Sequence, residues 1–142
     1  MIKLSKREDY AIILINSLMQ AHNKRLVPLS EIAKDYSLSL LFLRNLAGDL
    51  RNAGIIKAVE GKKGGYFLAR DPKEIKMGDV LRIFSKEQSF ICCSKNTRED
   101  KNKTCPHEGH CVASNVWRKL NNELIDKVYS LPVSEFLKQT NT

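Results

Sequence analysis

All four cysteines of the chain lie within one polar segment of twenty residues. They are Cys92, Cys93, Cys105 and Cys111, and few apolar residues surround them. Cysteine is normally among the most buried residue types, so four cysteines in a hydrophilic loop indicate a chemical role. Thiolates are soft ligands that select zinc, copper(I) or iron–sulfur clusters. The segment therefore predicts a site where loop residues converge on a metal centre.

The spacing of the cysteines favours a cluster but leaves zinc conceivable. Five residues separate Cys105 from Cys111, more than the two to four that are usual between zinc ligands. Adjacent side chains point in divergent directions, so Cys92 and Cys93 are not expected to bind the same centre. Three thiolates, such as Cys93, Cys105 and Cys111, suit a cluster with a fourth ligand of another type. Loop histidines are more often solvated than bound to metal, but two are available as that ligand: His107 and His110.

The chain is basic, and the excess charge is unevenly distributed. The net charge is +8, from 24 Lys and Arg against 16 Asp and Glu. Residues 1–70 carry twelve basic and six acidic side chains, whereas residues 71–142 carry twelve and ten. This asymmetry predicts a polyanion-binding face in the first half, although a solvated basic surface would give the same totals.

The sequence has no stretch of about eighteen apolar residues, the length that a membrane span requires. The apolar run 11–15 is too short for a signal peptide and is not followed by a cleavage site. We therefore expect a cytoplasmic protein, in which thiols stay reduced. Under that condition metal binding or redox sensing explains the cysteines better than a disulfide framework does.

Two helices are expected at the start of the chain. Ser5 and Glu8 fit a capping box, and the helix that follows should run to about His22. The residues expected on its inward face are Tyr10, Ile13, Leu14, Ser17 and Leu18. Ser30 is expected to be the N-cap of a second, short helix.

A third helix and a β-hairpin complete the first half. The helix should begin at Ser39 and stop at Gly54, a residue suited to the left-handed position after a helix. Two short β runs, 55–59 and 66–69, are joined by a Gly-rich tip that carries two lysines. This order predicts a winged helix-turn-helix, whose third helix enters the major groove of DNA while the wing reaches phosphates or the minor groove.

The DNA contacts are expected from the outer face of the third helix and from the hairpin tip. Arg44 and Asn45 are candidates for base edges, and Lys62 and Lys63 for the phosphate backbone or minor groove. The full set of candidate DNA-binding residues is Ser39, Leu41, Arg44, Asn45, Arg51, Lys62 and Lys63.

The second half contains a short helix over 79–84 and a long helix over 112–131. Apolar residues recur along the long helix at steps close to 3.5 residues and form a narrow seam. They are Val112, Val116, Trp117, Leu120, Leu124, Val128 and Leu131. We expect a second subunit to cover this seam; the alternative is that it packs back onto the first helix.

Together these elements predict a mainly α protein with a small β-hairpin: a winged helix-turn-helix domain followed by a long C-terminal dimerisation helix. We divide the chain into a DNA-binding domain (1–70), a connecting helix (71–89), a cysteine-rich cluster-binding loop (90–111), and a dimerisation helix with a C-terminal turn (112–142).

From Leu4 to Leu137 the chain resembles the IscR/NsrR family of bacterial winged-helix iron–sulfur regulators. The resemblance depends on five motifs: Leu4-Ser5-Lys6…Tyr10-Ala11, Leu29-Ser30-Glu31-Ile32-Ala33, Leu46…Leu50-Arg51-Asn52-Ala53-Gly54-Ile55, Gly64-Gly65-Tyr66 with Leu68, and Cys…Cys-x5-Cys followed by Trp117. It implies a homodimer that binds specific DNA under the control of an iron–sulfur cluster held by three cysteines per subunit.

The resemblance also implies particular ligands. The distance from Tyr66 favours Cys93 over Cys92 as the first cysteine ligand, although the gap of eleven residues from Cys93 to Cys105 is longer than is common in the family. IscR-like members complete the cluster with a His three residues after the last cysteine, and Ser114 stands there in this chain. NsrR-like members use an Asp early in the first helix, contributed by the partner subunit. Asp9 occupies that position, which favours a [4Fe–4S] cluster over [2Fe–2S].

Three functions follow from this sequence, and they are not equally supported. We expect a repressor whose operator binding is controlled by a cluster that senses redox state, nitric oxide or iron–sulfur status. The alternative is a cluster-free regulator of the same fold, in which the cysteines form a thiol switch that responds to oxidant or cysteine metabolism. A thiol enzyme or cluster carrier is least expected, since the sequence lacks an acid–base pair and a Gly-rich cofactor loop.

Overall fold

The computed structural model describes residues 5–84 and 110–138, and helices predominate in both ranges. The helices are α1 (Lys6–Gln20), α2 (Leu29–Asp35), α3 (Leu40–Asn52), α4 (Met77–Phe84), α5 (Val112–Ser130) and α6 (Val133–Lys138), and the strands are β1 (Ile56–Val59) and β2 (Gly65–Leu68). The expected mainly α fold with one β-hairpin is confirmed. Within the described ranges, no helix has the length and apolar character needed to cross a membrane.

The capping box at the start of α1 is confirmed. The backbone N–H of Ser5 donates to Oε2 of Glu8 at 2.7 Å, and the Glu8 side chain is buried. The inward face was predicted wrongly in part, because Ala11 and Ile15 are buried while Tyr10, Ile13 and Ser17 are only half-buried. Every residue from 11 to 15 is apolar, so this run alone does not show which side of the helix faces the core.

Helix α2 begins earlier than the sequence indicated. Its N-cap is Pro28, and Leu29 is the first helical residue, with its side chain buried in the core. Ser30 lies inside the first turn and is exposed, so the prediction that it caps the helix was wrong. The fixed φ of proline suits the entry to a helix, and the burial of Leu29 places the first turn one residue earlier.

Helix α3 has the predicted bounds. Ser39 is its N-cap, and the Ser39 hydroxyl accepts a hydrogen bond from the backbone N–H of Phe42 at 3.3 Å. The buried residues of α3 are Leu43, Leu46, Ala47 and Leu50. Gly54 follows the helix with a φ of +75°, a conformation in which a Cβ is disfavoured.

The hairpin pairs β1 with β2 in an antiparallel register that sets Ile56 opposite Leu68 and Val59 opposite Gly65. A further contact comes from the chain before α2, where the N–H and the carbonyl of Val27 both bond to Tyr66, at 3.0 and 2.8 Å. The hairpin also packs on α1 and α3, so the wing and α3 belong to one packed unit.

The C-terminal helices join the first half through α4. The N–H of Met77 donates to the carbonyl of Leu131 at 2.9 Å, and the N–H of Val133 donates to the carbonyl of Ile75 at 2.8 Å. Helix α5 packs against α4 near Tyr129, where burial raises the pKa of the phenol. This contact uses the C-terminal end of α5.

Most of the predicted seam on α5 is exposed. Five of its side chains have exposed fractions between 46% and 78%, and we call them the exposed seam: Val112, Val116, Trp117, Leu120 and Leu124. Single exposed apolar residues are common, but a row of them on one helix marks an interaction surface.

Candidate nucleic-acid interface and cysteine segment

Helix α3 presents its predicted DNA-binding residues to solvent. Arg44, Asn45 and Arg51 are exposed, and the Leu41 side chain has an exposed fraction of 69%. They can be exposed because the opposite face of α3 carries the leucines of the core, which fix the rotation of the helix. Ser39 differs from these residues, because its hydroxyl accepts a hydrogen bond from the backbone of α3 and caps the helix.

The wing lysines lie at the tip of the hairpin. Lys62 and Lys63 are exposed between the two strands, in a turn closed by a hydrogen bond of 3.0 Å from the N–H of Gly64 to the carbonyl of Gly61. A Cβ on Gly64 would lie 2.1 Å from the carbonyl oxygen of Val59, so glycine is required for the chain to turn this tightly. The tip therefore offers two cationic side chains on a constrained backbone.

An acidic residue on the side of α3 that faces α1 forms an ion pair with Arg7. Oδ2 of Asp49 lies 2.8 Å from Nη2 of Arg7, and the side chains are 41% and 52% exposed. The Arg7 guanidinium also lies 5.5 Å from the centre of the Phe84 ring, at the end of α4. Because Arg7 neutralises Asp49, the exposed face of α3 is left with a basic character that suits a polyanion.

Arg7 was not singled out by the sequence, and no local signal identifies it. Its ion-pair partner lies 42 positions away in the chain, and only the packing of α1 on α3 brings the two together.

Helix α2 is tied to the preceding loop by a second ion pair. Nη1 of Arg25 lies 2.9 Å from Oε2 of Glu31, and a second contact joins their other terminal atoms. The hydrogen bond to Arg25 lowers the pKa of Glu31, and the same contact raises the pKa of Arg25. Exposed pairs of this kind contribute little to stability.

The two carboxylates in the first turn of α1 have different environments. Glu8 is buried within the capping box, whereas Asp9 is exposed. Among residues 5–84 and 110–138 the Asp9 carboxylate forms no hydrogen bond or ion pair. The resemblance implied that Asp9 is a cluster ligand, and its carboxylate is open to solvent.

Of the predicted cysteine ligands, only Cys111 lies within the described residues; Cys92, Cys93, Cys105 and His107 lie outside them. Cys111 is the N-cap of α5 and is half-buried, while the neighbouring His110 is exposed. The N-terminal end of a helix favours negative charge, so this position suits a thiolate ligand. Within the part of the chain that the structure describes, no three His, Cys, Asp or Glu side chains converge as a metal site.

Ser114, which stands where IscR-like proteins are expected to have a histidine ligand, is bonded within α5. Arg118 Nη2 donates to its hydroxyl at 3.2 Å and to Oδ1 of Asn115 at 2.7 Å. Arg118 Nε also donates to the Ser114 carbonyl at 3.3 Å. These contacts place a positive charge beside the first turns of α5, two turns from Cys111.

A winged-helix unit with a basic outer face on α3, followed by a long helix with an exposed apolar seam, is the arrangement of a DNA-binding regulator. The model of the Rrf2 family, described as an iron-dependent transcriptional regulator, matches residues 4–139. The chain belongs to the Rrf2 family.

Individual Rrf2 relatives show the same similarity over nearly the whole chain. IscR from Vibrio campbellii, an HTH-type transcriptional regulator, is 26% identical over 137 residues, which are 96% of this chain and 78% of that protein. The solved structure of T. potens IscR superposes with a TM-score of 0.71 at 28% identity, covering 99% of this chain and 89% of that one.

CymR from Bacillus subtilis represents another part of the family. It is 34% identical to this chain over 82 residues, which are 58% of this chain and 59% of CymR. Its structure, that of the global cysteine regulator of B. subtilis, superposes with a TM-score of 0.76 at 24% identity over 99% of this chain and 100% of that one. This likeness shows the fold.

Proposed function

We propose that the chain is a homodimeric repressor whose binding to operator DNA is controlled by an iron–sulfur cluster. The observation that carries the proposal is the outer face of α3: exposed Arg44, Asn45 and Arg51 on a helix that is packed rigidly against the wing. The Rrf2 family is a family of DNA-binding regulators, and this face is where such a protein would read a major groove.

In this proposal the residues of the interface have separate tasks. Arg44 and Asn45 reach base edges, since Arg pairs with guanine and Asn with adenine in the major groove. Lys62 and Lys63 hold the phosphate backbone or the minor groove from the wing tip. Ser39 sets the start of α3 by capping it, and the exposed Leu41 and Arg51 contact DNA from the first and last turns of the helix.

The cluster would be held by the thiolates of Cys93, Cys105 and Cys111, with the Asp9 carboxylate of the partner subunit as fourth ligand. When bound, it supplies a centre whose charge and ligation change with redox state, nitric oxide or iron supply. The exposed Asp9 and the position of Cys111 at the start of α5 support this ligand set. We favour a [4Fe–4S] cluster, with [2Fe–2S] as the alternative form. Other candidates for the ligand positions are Cys92, His107 and His110.

The exposed seam supports a second subunit. Five apolar side chains on one face of a helix of 19 residues would lose contact with water if a second subunit covered them, and a copy of α5 has the matching repeat. A dimer would also provide the Asp9 that each cluster requires from the partner.

The experiment that tests the cluster uses anaerobic reconstitution with iron and sulfide, followed by spectroscopy and iron analysis. We expect broad visible absorption from the native protein and loss or weakening of it in Asp9→Ala. Asp35→Ala removes another exposed aspartate, from the end of α2, and should leave the spectrum unchanged. A colourless native protein that retains zinc after reconstitution would reject the cluster.

The second candidate is a regulator of the same fold that uses its cysteines as a thiol switch. The similarity to CymR, a cysteine regulator, favours it. This candidate requires that oxidant changes operator binding in protein free of iron, whereas the cluster proposal requires iron for the change. Measuring operator binding before and after oxidation of iron-free protein separates the two.

A further inference from the structure

Arg7 connects three helices. It belongs to the first turn of α1, its Nη2 lies 2.8 Å from Oδ2 of Asp49 on α3, and its Cζ lies 5.5 Å from the ring centre of Phe84 on α4. We call Arg7, Asp49 and Phe84 the Arg7 junction.

Each member of the junction lies next to a part of the chain that the proposed function requires. Arg7 precedes Asp9 by two residues, and Asp49 lies on α3 one turn after Asn45. Phe84 is the last residue of α4 and directly precedes the segment that carries three of the four cysteines. A displacement of Asp9 or of Phe84 would therefore act on Arg7, which is hydrogen-bonded to Asp49 of α3.

The turn that carries Arg7 is held firmly. The capping box fixes Ser5 against Glu8, whose side chain is buried. A second contact to α3 follows one turn later, where the rings of Tyr10 and Phe42 meet edge to face with their centres 5.4 Å apart. Because the turn is well defined, a change in its position would be transmitted to α3 and not absorbed locally.

We infer that Arg7 is a positioning residue, through which the state of the cysteine segment and of Asp9 sets the orientation of α3 on DNA. The inference rests on the proposed function, because it needs a group at the cysteines that controls operator binding. An exposed ion pair and an exposed cation–π contact contribute little to stability, so the fold should survive the loss of Arg7. What should change is the coupling between the two sites.

The experiment compares operator affinity in the cluster-loaded and cluster-free forms of the full chain. The probe is one DNA duplex, selected from a random library by the loaded native protein, and binding is followed by fluorescence anisotropy. The readout is the ratio of the two dissociation constants, since a uniform loss of affinity leaves that ratio unchanged.

In Arg7→Gln the ratio of the two dissociation constants should move toward one by about five- to tenfold, at the lower end of the range usual for coupled sites. Asp49→Asn should have a similar effect. The double variant should go no further, because each single change already removes the same ion pair. Arg7→Lys keeps the charge but loses the planar guanidinium, so its ratio should lie between those of the native protein and Arg7→Gln.

The matched control is Lys6→Gln. Lys6 is exposed in the same turn and carries the same charge, but it has no ion-pair partner among the described residues. Its ratio should equal that of the native protein, and thermal melts by circular dichroism verify that every variant is folded.

The outcomes separate the inference from the proposed function. Equal affinity of loaded and cluster-free native protein would overturn the proposed function, and the inference with it. A native ratio that differs from one and persists in Arg7→Gln and Asp49→Asn would overturn the inference alone. Equal changes in Arg7→Gln and Lys6→Gln would also overturn it, since they would assign the effect to charge.

Discussion

The first turn of α1 shows how far neighbouring residues of one type can differ in role. Glu8 and Asp9 both favour the positive end of a helix, which would explain either of them without any function. The structure separates them, because Glu8 is buried in the capping box and Asp9 is exposed without a partner in the described ranges. Of the two carboxylates, Asp9 is therefore the one that the proposed cluster could use.

The wing lysines provide a test of the DNA interface at the residue scale. Each lysine that neutralises a phosphate releases counterions, so the slope of log affinity against log salt should fall by about 0.9 for every phosphate that is no longer neutralised. In Lys62→Ala/Lys63→Ala we expect weaker binding to all DNA sequences and a flatter slope, measured by anisotropy titrations at several salt concentrations.

The control for the wing variant removes the same charge elsewhere. Lys73 and Lys76 are exposed in the connection that leads into α4, outside the winged-helix unit. Lys73→Ala/Lys76→Ala should leave the slope close to native. A slope in the wing variant equal to that of the native protein would remove Lys62 and Lys63 from the interface.

At the scale of the elements, the contact between α4 and α5 depends on one residue without a side chain. A Cβ on Gly78 would lie 2.8 Å from the carbonyl oxygen of Tyr129 and 2.9 Å from its Cδ1. Gly78→Ala should therefore force α4 and α5 apart and lower the free energy of unfolding by about 1 to 3 kcal/mol.

For the matched control, a glycine-to-alanine change in α3, the expected change in the free energy of unfolding has the opposite sign. Gly48 lies inside α3, and a Cβ there would meet nothing within 4 Å. Gly48→Ala should raise the free energy of unfolding by about 0.5 to 1 kcal/mol, because alanine loses less backbone entropy in a helix. Denaturant melts measure the free energy of unfolding of both variants. A Gly78→Ala protein as stable as native would show that α4 and α5 can shift to accommodate the Cβ at little cost.

The elements were predictable where a local signal was strong, and less so where two signals competed. The two ends of α3 were predicted correctly from Ser39 and Gly54, because a hydroxyl cap and a left-handed glycine act within a few residues. The prediction that Ser30 caps α2 was wrong because Pro28 and the burial of Leu29 determine where that helix starts. The contact of Val27 with Tyr66 depends on a pairing between distant parts of the chain, for which the sequence around Val27 has no pattern.

For the whole molecule, the sequence predicted more of the candidate DNA-binding face than of the proposed cluster site. Exposure of Arg44 and Asn45 follows from helical periodicity, since the opposite face of α3 is apolar. The pairing of Arg7 with Asp49 does not follow, because it needs the packing of α1 on α3. The proposed cluster site is least accessible to this reasoning, since its ligands would come from a loop and from a second subunit, where periodicity gives no information.

The assembly of two subunits is the last prediction, and the exposed seam carries it. Leu120 lies in the middle of the seam, and a glutamate there would place a charge between two copies of α5 with no partner to compensate it. We expect native protein to sediment at about twice the chain mass of 16.2 kDa, and Leu120→Glu to sediment as a monomer.

The same substitution at Leu41, which is exposed on α3, should weaken DNA binding and leave the dimer intact. The Leu120→Glu monomer should also lose operator affinity, since a single subunit reaches one half-site where the dimer reaches two. A Leu120→Glu protein that remains dimeric would show that another surface joins the subunits, and the partner's Asp9 would then need a different route to the cysteines.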